Sequence, residues 1–192
     1  MVTAVRWTVD EYVELARLLQ GRRTELIDGQ VIEMPSIGTA HFTVVQRLAR
    51  TLNALNAVGR LVIQQPLRIP AFDEPEPDLQ ILRWPVELRK PAPVDELLVI
   101  EVADTTYAYD RRTKLPLYLR AGVRSVWIAN ISDHAQPRLE LYDSATEPTA
   151  VLDHGTLTPP EVDVVVDLDA LFAGIAGLPV DEQPPELDLS RS

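Results

Sequence analysis

Apolar residues recur at helical spacing at Val9, Tyr12, Val13, Ala16 and Leu19, directly after Thr8-Val9-Asp10-Glu11, whose first and last residues have capping-box spacing. This pattern predicts a first helix ending near Gly21. The run from Glu25 to Met34 places Asp28-Gly29 between two β-prone segments, a strong hairpin signal. Val44, Val45, Leu48, Leu52 and Leu55 then line one side of a second helix spanning 40–57, with Gly59 suited to its end. Three strands follow, over 61–69, 78–82 and 97–102. Pro66 puts the first at an edge or a bulge, and the near-continuous apolar character of the last makes it central. Beyond Ala103 a third helix carries Leu115, Tyr118 and Leu119 on one face and stops at Gly122. Pro116 requires that this helix start near Thr113 or kink, which sets Lys114 near a helix start. Segments 125–131 and 138–142 read as two more strands, with a polar loop containing His134 between them, and 164–171 as a last strand and a short helical turn. The order describes an α/β domain whose mixed sheet is flanked by helices.

The length of 192 residues fits one domain, expected over 1–174, and 46% hydrophobic with 24% charged residues is an ordinary globular balance. After Gly177 the chain carries prolines among acids with little to bury, so 175–192 is expected to be an acidic tail, disordered or bound to a partner. The absence of cysteine excludes disulfides, thiolate metal sites and a cysteine nucleophile, which leaves hard cations on oxygen or histidine ligands. No apolar run approaches the ~18 residues of a membrane span, and a soluble, cytoplasmic protein is expected. A net charge of −11 opposes loose nucleic-acid binding, but eight acids against one arginine from Glu161 onward account for −7 of it. Between Arg111 and Ser132 there are five bases, Arg111, Arg112, Lys114, Arg120 and Arg124, and no acid. That segment is either a local positive face or a solvated helix surface.

The sequence holds no Gly-rich phosphate loop, G-x-S-x-G turn or H-E-x-x-H helix, so the candidate chemistry is acidic. Asp78 opens a strand after Pro77, and Glu101 sits inside the next apolar strand. On neighbouring strands the two carboxylates converge at one sheet end. Two unit charges ~4 Å apart repel by roughly 4 kcal/mol at an effective dielectric of about 20, so a metal or a shifted pKa must compensate. Taken singly, Asp78 also reads as a strand-start residue and Glu101 as an arginine's partner. Lys114 is one of only two lysines beside sixteen arginines, which suggests a need for a compact ammonium able to meet a water or phosphate oxygen, or a plain surface lysine.

Glu25-Leu26-Ile27-Asp28-Gly29, His41, Pro75-Glu76-Pro77-Asp78, Val99-Ile100-Glu101-Val102, Tyr109-Asp110-Arg111 with Lys114, 118–123 and Val126-Trp127-Ile128 occur in this order. The succession, from about Trp7 to about Phe172, resembles the Uma-two family of restriction-endonuclease-like proteins, a bacterial branch of the PD-(D/E)XK nuclease superfamily. The resemblance implies a restriction-endonuclease-like core and Mg2+- or Mn2+-dependent hydrolysis of DNA phosphodiester bonds. Asp78 matches the PD aspartate, Glu101 the second acid, and Lys114 a lysine relocated to the following helix, since position 103 is Ala103 where the superfamily motif has lysine. Glu25 resembles an additional acid that helps hold metal, with a hairpin residue paired to arginine as its other reading. His41 falls where the family often has histidine, and a structural histidine at a helix start fits it as well. A metal would then rest on Asp78, Glu101, Glu25 and the main chain at Val102, while Arg111, Arg112, Arg120 and Arg124 would contact DNA phosphates. A homodimer is implied, as related nucleases commonly pair. The competing reading keeps the fold and makes the chain a non-catalytic, oligomeric interaction module.

Overall fold

The computed structural model describes residues 5–19, 21–56, 60–86 and 89–180. Helix α1 (Val9–Leu18) starts at the capping box, in which Glu11 N–H donates to Thr8 Oγ1 at 3.3 Å and Thr8 N–H to Glu11 Oε2 at 2.8 Å. Strands β1 (Thr24–Ile27) and β2 (Gln30–Glu33) form the hairpin. Asp28 and Gly29 have φ of +50° and +75°, the left-handed pair that a tight two-residue turn needs. A side chain on Gly29 would also meet Arg6, whose Cβ lies 2.6 Å from where a Cβ would stand. Helix α2 (Thr39–Thr51) follows, with a short helical turn, Asn53–Asn56, after it. The expected helix end at Gly59 lies outside the described residues.

The main sheet runs β3 (Leu61–Ile63), β4 (Leu79–Leu82), β5 (Glu96–Ala103), β6 (Ser125–Asn130), β7 (Arg138–Asp143) and β8 (Ala150–Leu152), each beside the next. Only β5 and β6 are parallel, because a helix crosses between them, and the sheet is therefore mixed. A small antiparallel pair, β9 (Thr156–Leu157) with β10 (Val166–Asp167), leads into α4 (Leu168–Phe172). All eight residues of β5 are buried, as a strand covered on both faces must be. Leu98, Ile100 and Val102 pack under α2 and α4 with Val44, Leu48 and Leu171, whereas Val99 and Ala103 pack on the opposite side with Leu115 and Tyr118. By the same alternation Glu101 points toward the Leu115 and Tyr118 side.

Strand β3 and the third helix differ from expectation. Strand β3 ends at Ile63 instead of reaching 69: Pro66 has no N–H for a ladder, and only an isolated bridge between Ile69 and Asp73 continues the pattern. The third helix, α3, starts at Tyr107 and runs through three consecutive pieces, Tyr107–Tyr109, Asp110–Lys114 and Leu115–Ala121. Its middle piece is a wide π turn in which Leu115 N–H donates to the Asp110 carbonyl, five residues back. Pro116 can neither donate to the carbonyl four residues back nor fit its ring there, and the wider turn absorbs the conflict. The regular α-helical piece begins at Leu115 with Lys114 at its N-cap, as Pro116 requires, and the π turn continues it toward the N-terminus. The loop between β6 and β7 lies where expected, and its His134 is buried. Of the expected tail, 181–192 lies outside the described residues, while Ile175 is fully buried against the α4 side of the core.

Candidate active site

The β4–β5 register pairs Leu79 with Ile100, which sets Asp78, one residue before β4, across from Glu101 on the same face. Val102 N–H donates to Asp78 Oδ2 at 2.8 Å, so the main chain at Val102 holds the aspartate in place. On α3, Asp110, Lys114 and Tyr118 are spaced four residues apart and share the side facing the sheet. Lys114 Nζ lies 2.7 Å from Glu101 Oε1 and 3.1 Å from Glu25 Oε1, and donates to the Glu76 carbonyl at 3.4 Å. Tyr118 OH donates to the same Glu101 oxygen at 2.5 Å. Glu25, on β1, accepts from Tyr109 OH at 3.1 Å and from Glu76 N–H at 3.0 Å. His41, in the first turn of α2, reaches over the sheet end to Asp78, with Nε2 3.0 Å from Oδ1. The structure therefore brings together all five acid, lysine and histidine positions that the sequence singled out.

Glu25, His41, Glu76, Asp78, Glu101 and Lys114 line a cleft of about 280 Å3. Its wall carries six carboxylates, Glu25, Glu76, Asp78, Glu101, Asp104 and Asp110, against the fixed cations Arg23 and Lys114 and the imidazole of His41. Burial raises the pKa of Glu101 well above the usual carboxylate range, and Asp110, Asp78 and Glu25 add to the rise against the pull of Lys114. Asp110 is pushed up to about 6, again chiefly by burial. Asp78 goes the other way: burial would raise it, but His41, Lys114 and the Val102 N–H together outweigh burial and hold it below its ordinary value. Lys114 loses hydration by burial, yet Glu101 and Glu25 more than restore its proton affinity, so it is an ammonium. Among the described residues no three carboxylates or imidazoles stand ready around one point, because the ammonium fills the space between Glu25 and Glu101. The donor set still suits a hard cation. It is all oxygen, carries more negative charge than its cations balance, and includes Asp104 Oδ2, buried and without a hydrogen bond. Magnesium is commonly held by one or two carboxylates with waters completing its shell.

The arginines are placed differently. Arg111 stacks over the Tyr142 ring at 5.1 Å and lies 3.9 Å from Glu147, and Arg112, Arg120 and Arg124 are exposed on or just after α3. None of the four lines the cleft. Conversely, Tyr109, Asp110, Tyr118, Glu76, Asp104 and Arg23 belong to the site without having been assigned to it. Asp110 and Tyr118 had a signal, their spacing of four either side of Lys114, obscured by Pro116, and Tyr109 only its place beside Asp110. Glu76 was visible only as a neighbour of Asp78. Asp104 is held by His134 Nε2 at 3.0 Å, and Arg23 by Glu76 at 3.2 Å, contacts between distant segments that no local pattern announces.

A mixed sheet between helices, with acids and a lysine meeting at one end of its central strands, is the α/β architecture of a nuclease-like fold. A solved structure described as a "putative nuclease belonging to DUF820 from Anabaena variabilis ATCC 29413" is similar, with a TM-score of 0.63 at 16% identity, covering 88% of this chain and 98% of that one. The Uma2 family model, described as "Putative restriction endonuclease", matches residues 9–170, and the chain belongs to that family. No curated protein matches it. No helix among the described residues is long and apolar enough to cross a membrane.

Proposed function

We propose that the protein is a metal-dependent endonuclease that hydrolyses DNA phosphodiester bonds. One observation carries the reading: Asp78 and Glu101 face each other across adjacent strands in a cleft whose lysine is a buried ammonium 2.7 Å from Glu101. Mg2+ or Mn2+ held by Asp78 and Glu101, with Glu25 and the Val102 main chain beside them, would supply Lewis acidity and a more acidic water. The rest falls to the chain's own groups. His41 and Val102 N–H keep Asp78 ionised and oriented. Tyr118 and Tyr109 restrain the Glu101 and Glu25 carboxylates. Lys114 puts a fixed positive charge where the attacked phosphate gains negative charge, in surroundings of low dielectric where that charge counts most. Overall, water adds across one P–O bond and a proton is released. Two copies addressing the two strands of a duplex belong to the same reading, which a mass measurement in solution checks.

The test is cleavage of supercoiled, linear and single-stranded DNA with Mg2+ or Mn2+, in wild type and in Asp78→Asn, Glu101→Gln and Lys114→Ala. Each variant is expected to lose on the order of a hundredfold or more. Millimolar cation should also raise the melting temperature of wild type and not of Asp78→Asn, since binding to the native state alone stabilises it. Cleavage that survives all three substitutions overturns the site. No cleavage and no cation effect would leave the non-catalytic module.

A further inference from the structure

The cleft poses an electrostatic problem for a polyanionic substrate, because six carboxylates face two fixed cations there. The α3 arginines do not solve it, since none of them lines the cleft. A second hollow does adjoin it. This groove, about 690 Å3 and more open, lies between α1 and the segment around Pro66, and Arg17, Arg22, Arg23 and Lys90 line it against only Glu74 and Glu76. Arg23 and Glu76, paired with each other at 3.2 Å, belong to both walls, so the groove adjoins the cleft at that pair. Its two outer arginines are available to a ligand, whereas Lys90 is held by the buried Glu74 at 2.8 Å. Arg17 pairs with Glu14 and Arg22 with Glu33, but every partner in those pairs is more than half exposed. Exposed pairs of this kind are worth ~0 to 1 kcal/mol, so a phosphate oxygen can replace either carboxylate at little cost.

We propose that this groove is the track for the DNA backbone, with phosphates flanking the reacting one held by Arg17 and Arg22. The proposal rests on the nuclease reading and replaces the α3 arginines as the phosphate-contacting surface. Such contacts position a strand without reading its sequence, which makes them salt-dependent.

The test is fluorescence anisotropy of a labelled DNA oligonucleotide against salt, in EDTA so that cleavage does not intervene, with Arg17→Gln/Arg22→Gln compared with the charge-matched Arg112→Gln/Arg120→Gln. All four arginines are exposed, and melting curves check that both variants fold. The groove variant should bind roughly tenfold more weakly, with the slope of log affinity against log salt reduced by about 1.4 to 1.8, the loss of two phosphate contacts. An unchanged slope, or equal losses in the two doubles, overturns the groove while wild-type binding and cleavage keep the nuclease reading intact. A wild type that neither binds nor cleaves DNA under any metal condition overturns both.

Discussion

Replacing Lys114 by methionine keeps a long, flexible, apolar stem and deletes the charge. Lys114 is 2% exposed, and its partners Glu25 and Glu101 are 1% and 3% exposed at their side chains. Removing one partner from a buried ion pair leaves the other uncompensated, at a cost of about 3 to 5 kcal/mol. At roughly 2 to 4 °C per kcal/mol for a protein of this size, the melting temperature should fall by roughly 6 to 20 °C near neutral pH. The loss should depend on pH. Glu101 already takes up its proton well above the usual range because it is buried, and without the ammonium that normally opposes this shift its pKa rises further. An acid whose folded-state pKa is raised binds more protons folded than unfolded, so its penalty is full at high pH and disappears as pH falls through the folded value. Thermal melts of wild type and Lys114→Met over a pH series would show the gap narrowing as pH falls from the variant's higher Glu101 value toward that of wild type. A fall below about 2 °C near neutrality, or a gap that never narrows as pH falls, would refute the assignment of Lys114 as the cation that neutralises this cluster.

Two further predictions follow from buried acids outside the cleft. Both carboxylate oxygens of Glu96 are buried without a hydrogen bond, and burial, with Asp95 beside it, raises its pKa well above the usual range. Glu96→Gln should therefore stabilise the protein by about 1 to 3 kcal/mol at alkaline pH, a gain that shrinks as pH falls through the raised pKa; differential melts check it, and no gain would refute it. Glu140 is the reverse case: burial opposes its ionisation, but Tyr142, Asn130 and Tyr107 donate to it and Arg138 lies 3.0 Å away, so its pKa is lowered. Its contribution is complete above the unfolded-state pKa and is lost as pH falls through the depressed one. Glu140→Gln should cost about 2 kcal/mol near neutrality and little in strong acid, where an equal cost at both would count against the network.

What local sequence determined here is whatever a short segment decides by itself. Thr8 and Glu11 start α1 because their side chains satisfy each other's backbone, and Asp28-Gly29 closes the hairpin because both adopt positive φ. The unbroken apolar run of β5 announces a strand buried on both faces, and an acid within it, Glu101, cannot escape comment. The assembly of the site was decided elsewhere. Glu25 and Lys114 are 89 residues apart, and His41 and Asp78 are 37 apart, and only sheet register, the crossover of α3 and the docking of the hairpin carry them to one end of the strands. Pro116 shows the limit most clearly. As a local signal it only bars a regular helix from continuing upstream of it, but the tertiary contacts of Leu115 and Tyr118 accompany a π turn that extends the helix past it, and that turn aims Asp110, Lys114 and Tyr118 at the same buried carboxylates. Pairing and packing energies arise between segments, so their outcome is written in the whole fold and in no single stretch of it.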